Sequence, residues 1–413
     1  MSREQFDERY RLEPQRAPDA GRRERSRRNA ERQREIQSRI PKRPANIAYF
    51  ENLLSEPPGS GPRVGYFCNL FPPEIALALG ARAVRLDCGD AALAQAGEDV
   101  LVGEVCPLAK ASFARFLDAD SAASRCDALV VPAGCDAKRK LGELLSDYLP
   151  TFTLNLPHEQ DSGRYGRMAG EEFRRLADFL SERLGCKLRR GALRKAIEAG
   201  RRRTALARRL QALRGEKPGA LSIRDFFVVI QASFTGVEIG EWLAEAERVL
   251  SEVEASAAEP GRNRPRLVLT GAPLVWPNFK LLNLIEECGA DVVADTLCTG
   301  AQSVFDPVSG DEWSLSGMFR ALSLRSIFGA ACPCFISQGT RLARVLDLAA
   351  EFKADGVLGA GLRLCPLFDL ETYRLARVLK ARGIPYANLR TDYSLEDVEQ
   401  LRVRVEAFLE TLA

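Results

Sequence analysis

Histidine is almost missing from this chain. His158 is the only one in 413 residues. A multi-histidine zinc or iron site is thereby excluded, and a Ser–His or Cys–His catalytic pair could use only that residue. Long apolar runs are missing too. No stretch of about 18 uncharged apolar residues occurs, so no membrane-spanning helix and no membrane partner are expected. The N-terminus is Arg-rich without an apolar h-region, which does not read as a secretory signal. A cytoplasmic protein is expected. Charge of one sign is not in excess: 59 Lys+Arg against 56 Asp+Glu leave +3, too little to suggest nucleic acid. Residues 1–45 carry fourteen Lys+Arg and eight Asp+Glu, a balance of +6, so the remainder is −3. The basic character belongs to an N-terminal arm. No G-x-x-x-x-G-K-[ST] is present, and no G-x-G-x-x-G follows a strand, so the chain itself is expected to bind no nucleotide.

Cysteine, by contrast, is plentiful. There are eleven, an odd number, and with no secretion signal they argue against a disulfide framework. Few histidines and many thiols point to a soft, thiolate-ligated centre if a metal is bound. Neither the C-x-x-C run of ferredoxins nor a paired C-x-x-C zinc ribbon is present, so spacing alone identifies no centre.

The segment plan supplies the missing context. Short apolar runs at 63–67, 82–86, 101–105, 127–132 and 152–157 read as strands. Helical patterns at 72–81, 110–118 and 137–149 lie between them. Alternation of this kind predicts a parallel α/β sheet. Residues 166–256 read as mostly helical, and "EPGRNRPR" (259–266) as a linker. A second α/β run follows, with strands at 266–271, 290–295, 355–361 and 384–390 and helices at 279–289, 341–352 and 371–383. The expected organisation is an Arg-rich arm (1–61), an α/β domain (62–165), a helical connector (166–260) and a second α/β domain (261–413). The two flavodoxin-like or Rossmann-like domains are expected to face a shared cleft.

The thiols fall on this plan in a pattern. Cys68, Cys106 and Cys135 follow predicted strands of the first half; Cys298 and Cys365 follow strands of the second. Cys332 and Cys334 lie in "GAACPCF", where either could ligate. In open α/β sheets, ligands bind at the carboxyl ends of the strands. Two such edges facing each other would collect six or seven thiols in one cleft. Helix N-termini there would favour the thiolate form. Cys88, Cys126, Cys186 and Cys288 sit within or beside apolar segments and read as small hydrophobes.

At these residues the sequence resembles the 2-hydroxyacyl-CoA dehydratase/benzoyl-CoA reductase superfamily. "VGYFCNLFPPEIALALGA", "CPLAKASF", "DALVVPAGCDAKRKL", "VLTGAPLV", "IEECGADVVADTLCTG", "ADGVLGAGLRLC" and "GIPYANLRTDYSLEDVEQLRVRVEAFLE" occur in that order. The resemblance implies two α/β domains around an iron–sulfur cluster, with Cys106, Cys135 and Cys365 as the shared ligands. It implies a separate ATP-dependent iron–sulfur activator delivering one electron at low potential to an acyl-CoA thioester or another small-molecule acceptor, in anaerobic metabolism. In dehydratases this chemistry eliminates water through a ketyl radical. The acidic residue of the "PPE" loop, Glu74, corresponds to a candidate proton-transfer group; the alternative is a first-turn carboxylate favoured by the helix dipole. One branch carries a double-cubane cluster on six thiols, and Cys68, Cys106, Cys135, Cys298, Cys332 or Cys334, and Cys365 resemble that set. The sequence leans toward this reductase branch, as a homodimer or a heterodimer with a paralogue. The alternatives are a [4Fe-4S] subunit of a heterodimeric dehydratase, paired with a paralogue, and a non-catalytic cluster carrier.

Overall fold

The computed structural model describes residues 43–412 apart from 56–58, 119, 120, 122, 161, 258–262 and 337–338, together with positions 24, 28 and 31. The Arg-rich stretch of 1–42 lies otherwise outside the described residues.

Two apolar, β-branched sets of strands build two sheets of the same design. In the first half β1 (Arg63–Tyr66), β2 (Arg82–Arg85), β3 (Ala128–Pro132) and β4 (Thr151–Leu154) pair in parallel in the order β2-β1-β3-β4. In the second, β5 (Arg266–Gly271), β6 (Asp291–Asp295), β7 (Gly356–Leu362) and β8 (Tyr386–Thr391) pair in parallel as β6-β5-β7-β8. Helices cover both faces, so inner strands read as continuous apolar runs rather than alternating ones. β3 and β7 are buried at every position. Each fully buried Leu or Val contributes about 1.5–3 kcal/mol relative to exposure.

The crossover helices of the first half are α2 (Pro73–Ala78), α3 (Ala91–Ala96), α4 (Pro107–Leu117) and α5 (Asp136–Leu145). Proline opens α2 and α4 where its missing N–H is not needed. One expectation fails here. Residues 101–106 form a turn, not a strand. Gly103 interrupts the run, and Val102 is 69% exposed. Lys110 Nζ fastens the turn instead, donating to Gly103 O at 2.9 Å and Glu98 Oε1 at 2.5 Å. Cys106 therefore rides on a helix N-terminus, not on a strand end.

The helical middle joins the halves. α6 (Ser162–Arg183) and the start of α7 (Arg190–Glu216) cover the first sheet through Phe173, Leu176, Leu193 and Ile197. The end of α7, with α8 (Ile223–Ala232) and α9 (Ile239–Ala255), covers the second sheet. A further helix lies inside the stretch read as an arm. α1 (Ile47–Ser55) buries Ile47, Phe50 and Leu53 in that same core, and Arg43 pairs with the buried Asp225 at 2.7 Å. The second half is completed by α10 (Lys280–Glu287), α11 (Leu315–Leu324), α12 (Gly339–Glu351), α13 (Pro366–Ala381) and α14 (Val398–Glu410). α11 crosses over, placing Met318, Phe319 and Leu322 in the core of the first half. The halves also touch directly: a Cβ on Gly89 would lie 2.0 Å from the Val275 carbonyl oxygen, so only glycine permits this approach.

Candidate active site

Because every strand is parallel, the carboxyl ends of each sheet share one edge. A cleft lies where the two edges meet, holding about 950 Å³ of space including its mouth. Seven of the eleven thiols line it: Cys68, Cys106 and Cys135 from the first half, Cys298, Cys332, Cys334 and Cys365 from the second. The other wall residues are mostly apolar, among them Leu70, Leu108, Leu362 and Phe368. Cys88 and Cys126 do not line the cleft; they are buried in the apolar clusters that back its wall. Cys186 donates to Leu79 O at 3.2 Å, and Cys288 packs against the large core of the second sheet.

The backbone delivers each thiol in a particular way. Cys106, Cys135 and Cys365 are the N-cap residues of α4, α5 and α13. Each thus stands at a helix N-terminus, whose first-turn amides favour negative charge. Strained backbone marks three of the thiol-bearing loops, those of Cys68, Cys332 and Cys365. Of four non-glycine residues with positive φ among the described residues, three are Cys68 (φ 69°), Ala331 next to Cys332 (φ 42°) and Leu364 next to Cys365 (φ 61°). Such conformations cost about 1–3 kcal/mol each and concentrate at functional sites.

The thiols meet across the cleft. The Cys365 thiol donates to Cys106, which holds the Cys106 pKa down at about 7; the amides of Ala109 and Leu108 add to this against burial. The same contact, then burial, pushes Cys365 up. The neighbouring Cys334 thiol, then burial, raises Cys332, and burial raises Cys298 to about 11. A Cβ on Gly134 would lie 3.7 Å from Cys334 Sγ, so the Cys135 loop of one half abuts the Cys-Pro-Cys turn of the other.

Cations balance the site. Arg85 Nε pairs with Asp87 Oδ2 at 2.6 Å, and Lys138 Nζ lies 3.6 Å from Asp87 Oδ1. Burial opposes the Asp87 charge, but Lys138 and Arg85 hold its pKa at about 2. Asp87 Oδ2 also accepts from the Cys68 amide at 3.2 Å, and Arg85 Nη1 donates to Cys298 O at 3.0 Å. This network ties a thiol loop of each half to one buried carboxylate. Arg341 lines the far wall, paired with Glu371 at 2.6 Å. Sequence reading overlooked these charges. Lys138 had a signal, standing three residues after Cys135 on the first turn of α5; Arg341 had none, because its partner Glu371 comes from another segment, and the Arg85–Asp87 pair, though local, gives no sign of its reach to Cys298.

Glu74 stands elsewhere. It is buried on α2, outside the lining of the thiol cleft, and Arg325 clasps it with two hydrogen bonds of 2.5 and 2.9 Å. Burial raises its pKa, but the Arg325 guanidinium outweighs this and holds the carboxyl below its ordinary value. Among the described residues no three His, Cys, Asp or Glu side chains converge as the ligands of a single metal ion would.

The fold and cleft define a two-sheet α/β protein with a shared, thiol-lined site. Its family follows from comparison with known sequences. Residues 68–412 match the family described as 2-hydroxyglutaryl-CoA dehydratase, D-component, and the chain belongs to that family. It is 31% identical over 365 residues, 85% of this chain and 91% of the relative, to YjiM of Escherichia coli (strain K12), named as a candidate dehydratase subunit. It is 20% identical over 312 residues to the beta subunit of (R)-2-hydroxyglutaryl-CoA dehydratase of Acidaminococcus fermentans, covering 74% of this chain and 81% of that one. It is 19% identical over 281 residues to the beta subunit of (R)-phenyllactyl-CoA dehydratase of Clostridium sporogenes, covering 67% and 73%. Among the described residues no helix is long and apolar enough to cross a membrane.

Proposed function

We propose that this chain is an iron–sulfur redox enzyme of the dehydratase family, with a double-cubane cluster held between its two halves. The observation that carries the reading is the single cleft lined by seven thiols drawn from both sheets. The donor set fits such a group: soft sulfur ligands, mostly apolar walls, helix-end amides, and buried cations to offset thiolate charge. Each thiolate of a cluster would bind its own iron, so the ligands would ring a volume rather than converge on one point. Cys68, Cys106, Cys135, Cys298, Cys365 and one of Cys332 and Cys334 would hold it. When bound, the cluster supplies one-electron reduction at low potential.

The chain's own residues prepare that site. Asp87, clasped by Arg85 and Lys138, fixes the Cys68 loop and, through Arg85, the Cys298 loop. The apolar walls limit water at the thiols. Electrons come from a separate ATP-dependent iron–sulfur activator in the cytoplasm, and the acceptor is an acyl thioester or another small molecule. Glu74, outside the lining of the cleft, anchors Arg325. The names of two relatives favour a second reading, a [4Fe-4S] subunit that works beside a sister chain.

Iron and acid-labile sulfide per chain after anaerobic purification, with an EPR spectrum of the reduced form, test the proposal. About eight irons are expected for linked cubanes. About four would favour the sister-subunit reading. None, even after reconstitution, would overturn both.

A further inference from the structure

Beside the thiol cleft lies a second cavity of about 480 Å³ including its mouth, and the two share Asn69 and Ala330 as walls. Its charged and polar groups divide into two sets. The first set is already engaged. Arg325 is committed to Glu74 through both terminal nitrogens. Asp306, the carboxylate in the wall, accepts from Arg344 at 2.7 Å. Gln302 donates to the Gly329 carbonyl and accepts from Arg344 at 2.6 Å, and Ser303 Oγ donates to Gly300 O at 2.7 Å.

In the second set each side chain keeps one unpaired donor. Arg203 Nε and Asn69 Nδ2 are buried without a hydrogen-bond partner. Both are donors, and both side chains line this cavity. Asn69 is oriented by its other end, since Oδ1 accepts from Arg85 Nη1 at 2.8 Å. Arg203 is placed by helix geometry. Glu74 Oε1 would lie 3.0 Å from a Cβ on Gly200, so α7 passes directly over the Glu74–Arg325 pair. Arg203 follows three residues later on the same face. The charges do not cancel. Arg203, Arg325 and Arg344 give three positive charges against Glu74 and Asp306. An orphaned buried donor costs about 1–3 kcal/mol, and more when charged, so two in one cavity call for an acceptor.

We propose that this cavity is a binding site for a small carboxylate-bearing molecule, held by Arg203 and Asn69 beside the thiol cleft. One negative charge neutralises the surplus, and the planar guanidinium suits the planar carboxylate. Tyr66, also in the wall, stays a neutral hydroxyl at any ordinary pH, because burial lifts its pKa to about 12. In naming the acceptor of the neighbouring redox site the inference rests on the function proposed above; the binding itself does not.

Titration calorimetry on the full chain, as purified anaerobically and again after iron is removed, separates the two. The probes are acetate and propionate, their neutral amides acetamide and propionamide, and inorganic phosphate. Saturable carboxylate binding in both preparations is expected, with no binding of the amides. Arg203→Met is expected to weaken carboxylate binding at least about tenfold, and Arg203→Lys to weaken it less, because charge is kept and the fork is lost. The wild-type contrast of carboxylate with amide stands even if a variant fails to fold. Absence of saturable carboxylate binding, equal binding of the amides, binding of phosphate alone, or unchanged affinity in a folded Arg203→Met protein would each overturn the site. Carboxylate binding in a chain that never holds iron would leave the site standing and sink the redox reading alone.

Discussion

The two halves have the same strand order and opposite ways of presenting a thiol. After the third strand they agree: Cys135 follows β3 and Cys365 follows β7, each as the N-cap of the next helix. Before that strand they diverge. Cys106 caps α4 directly, whereas Cys332 and Cys334 sit in an irregular turn several residues before α12. At the remaining position they swap strands. The first half uses the end of β1 for Cys68, and the second uses the end of β6 for Cys298. Helix capping thus places two thiols of the first half, Cys106 and Cys135, and one of the second, Cys365, while loops and turns carry the others. Helix-capped thiols come with amides that favour the ligating form, while turn thiols depend on loops that must be held.

That contrast can be broken experimentally. The largest effect is expected at the shared position. Cys135→Ser and Cys365→Ser should each lose most of the bound iron, since serine is a poor ligand for a soft centre; retained iron would remove that thiol from the site. The Cys-Pro-Cys turn comes next. Only one of Cys332→Ser and Cys334→Ser should lose iron, and equal results for the two would contradict a single ligand there. A purely structural change follows. Glu74→Gln leaves the Arg325 guanidinium without its carboxylate and should cost about 3 kcal/mol in denaturant unfolding while iron content holds. Its pH signature has a definite sign. The Glu74 pKa is lowered on folding, so its stabilisation is full above the ordinary value of 4.5 and is lost as pH falls through the lower folded value. The variant should show a flatter acid limb. The smallest effect belongs to Cys186→Ser. A hydroxyl can keep the bond to Leu79 O, so iron should be unchanged and stability should shift by about 1 kcal/mol or less.

Much of this was legible in the residues. β3, β5 and β7 announce themselves as buried apolar runs, and the parallel α/β plan follows from their alternation with helices. The thiol cleft follows in turn from where seven cysteines fall on that plan. What failed was local. "LVGEV" looks like a strand until Gly103 and the pull of Lys110 fold it into a turn. α1 was hidden because its apolar face adjoins an Arg-rich stretch. The pairing of Glu74 with Arg325 joins residues 251 apart and depends on α11 crossing to the first half. No periodicity encodes such a contact, which holds Glu74 outside the lining of the thiol cleft. Lys138 lay within a recognisable stretch and Asp87 just after a predicted strand, but only packing brings them together.

The central claim is that one centre is held by both halves. Anomalous diffraction at the iron edge, from crystals grown without oxygen, tests it most directly. The expected map has iron peaks in the cleft, within bonding reach of Cys106 and Cys135 on one side and Cys298 and Cys365 on the other. A map with no iron in the cleft, or with iron bound by thiols of one half alone, would contradict it.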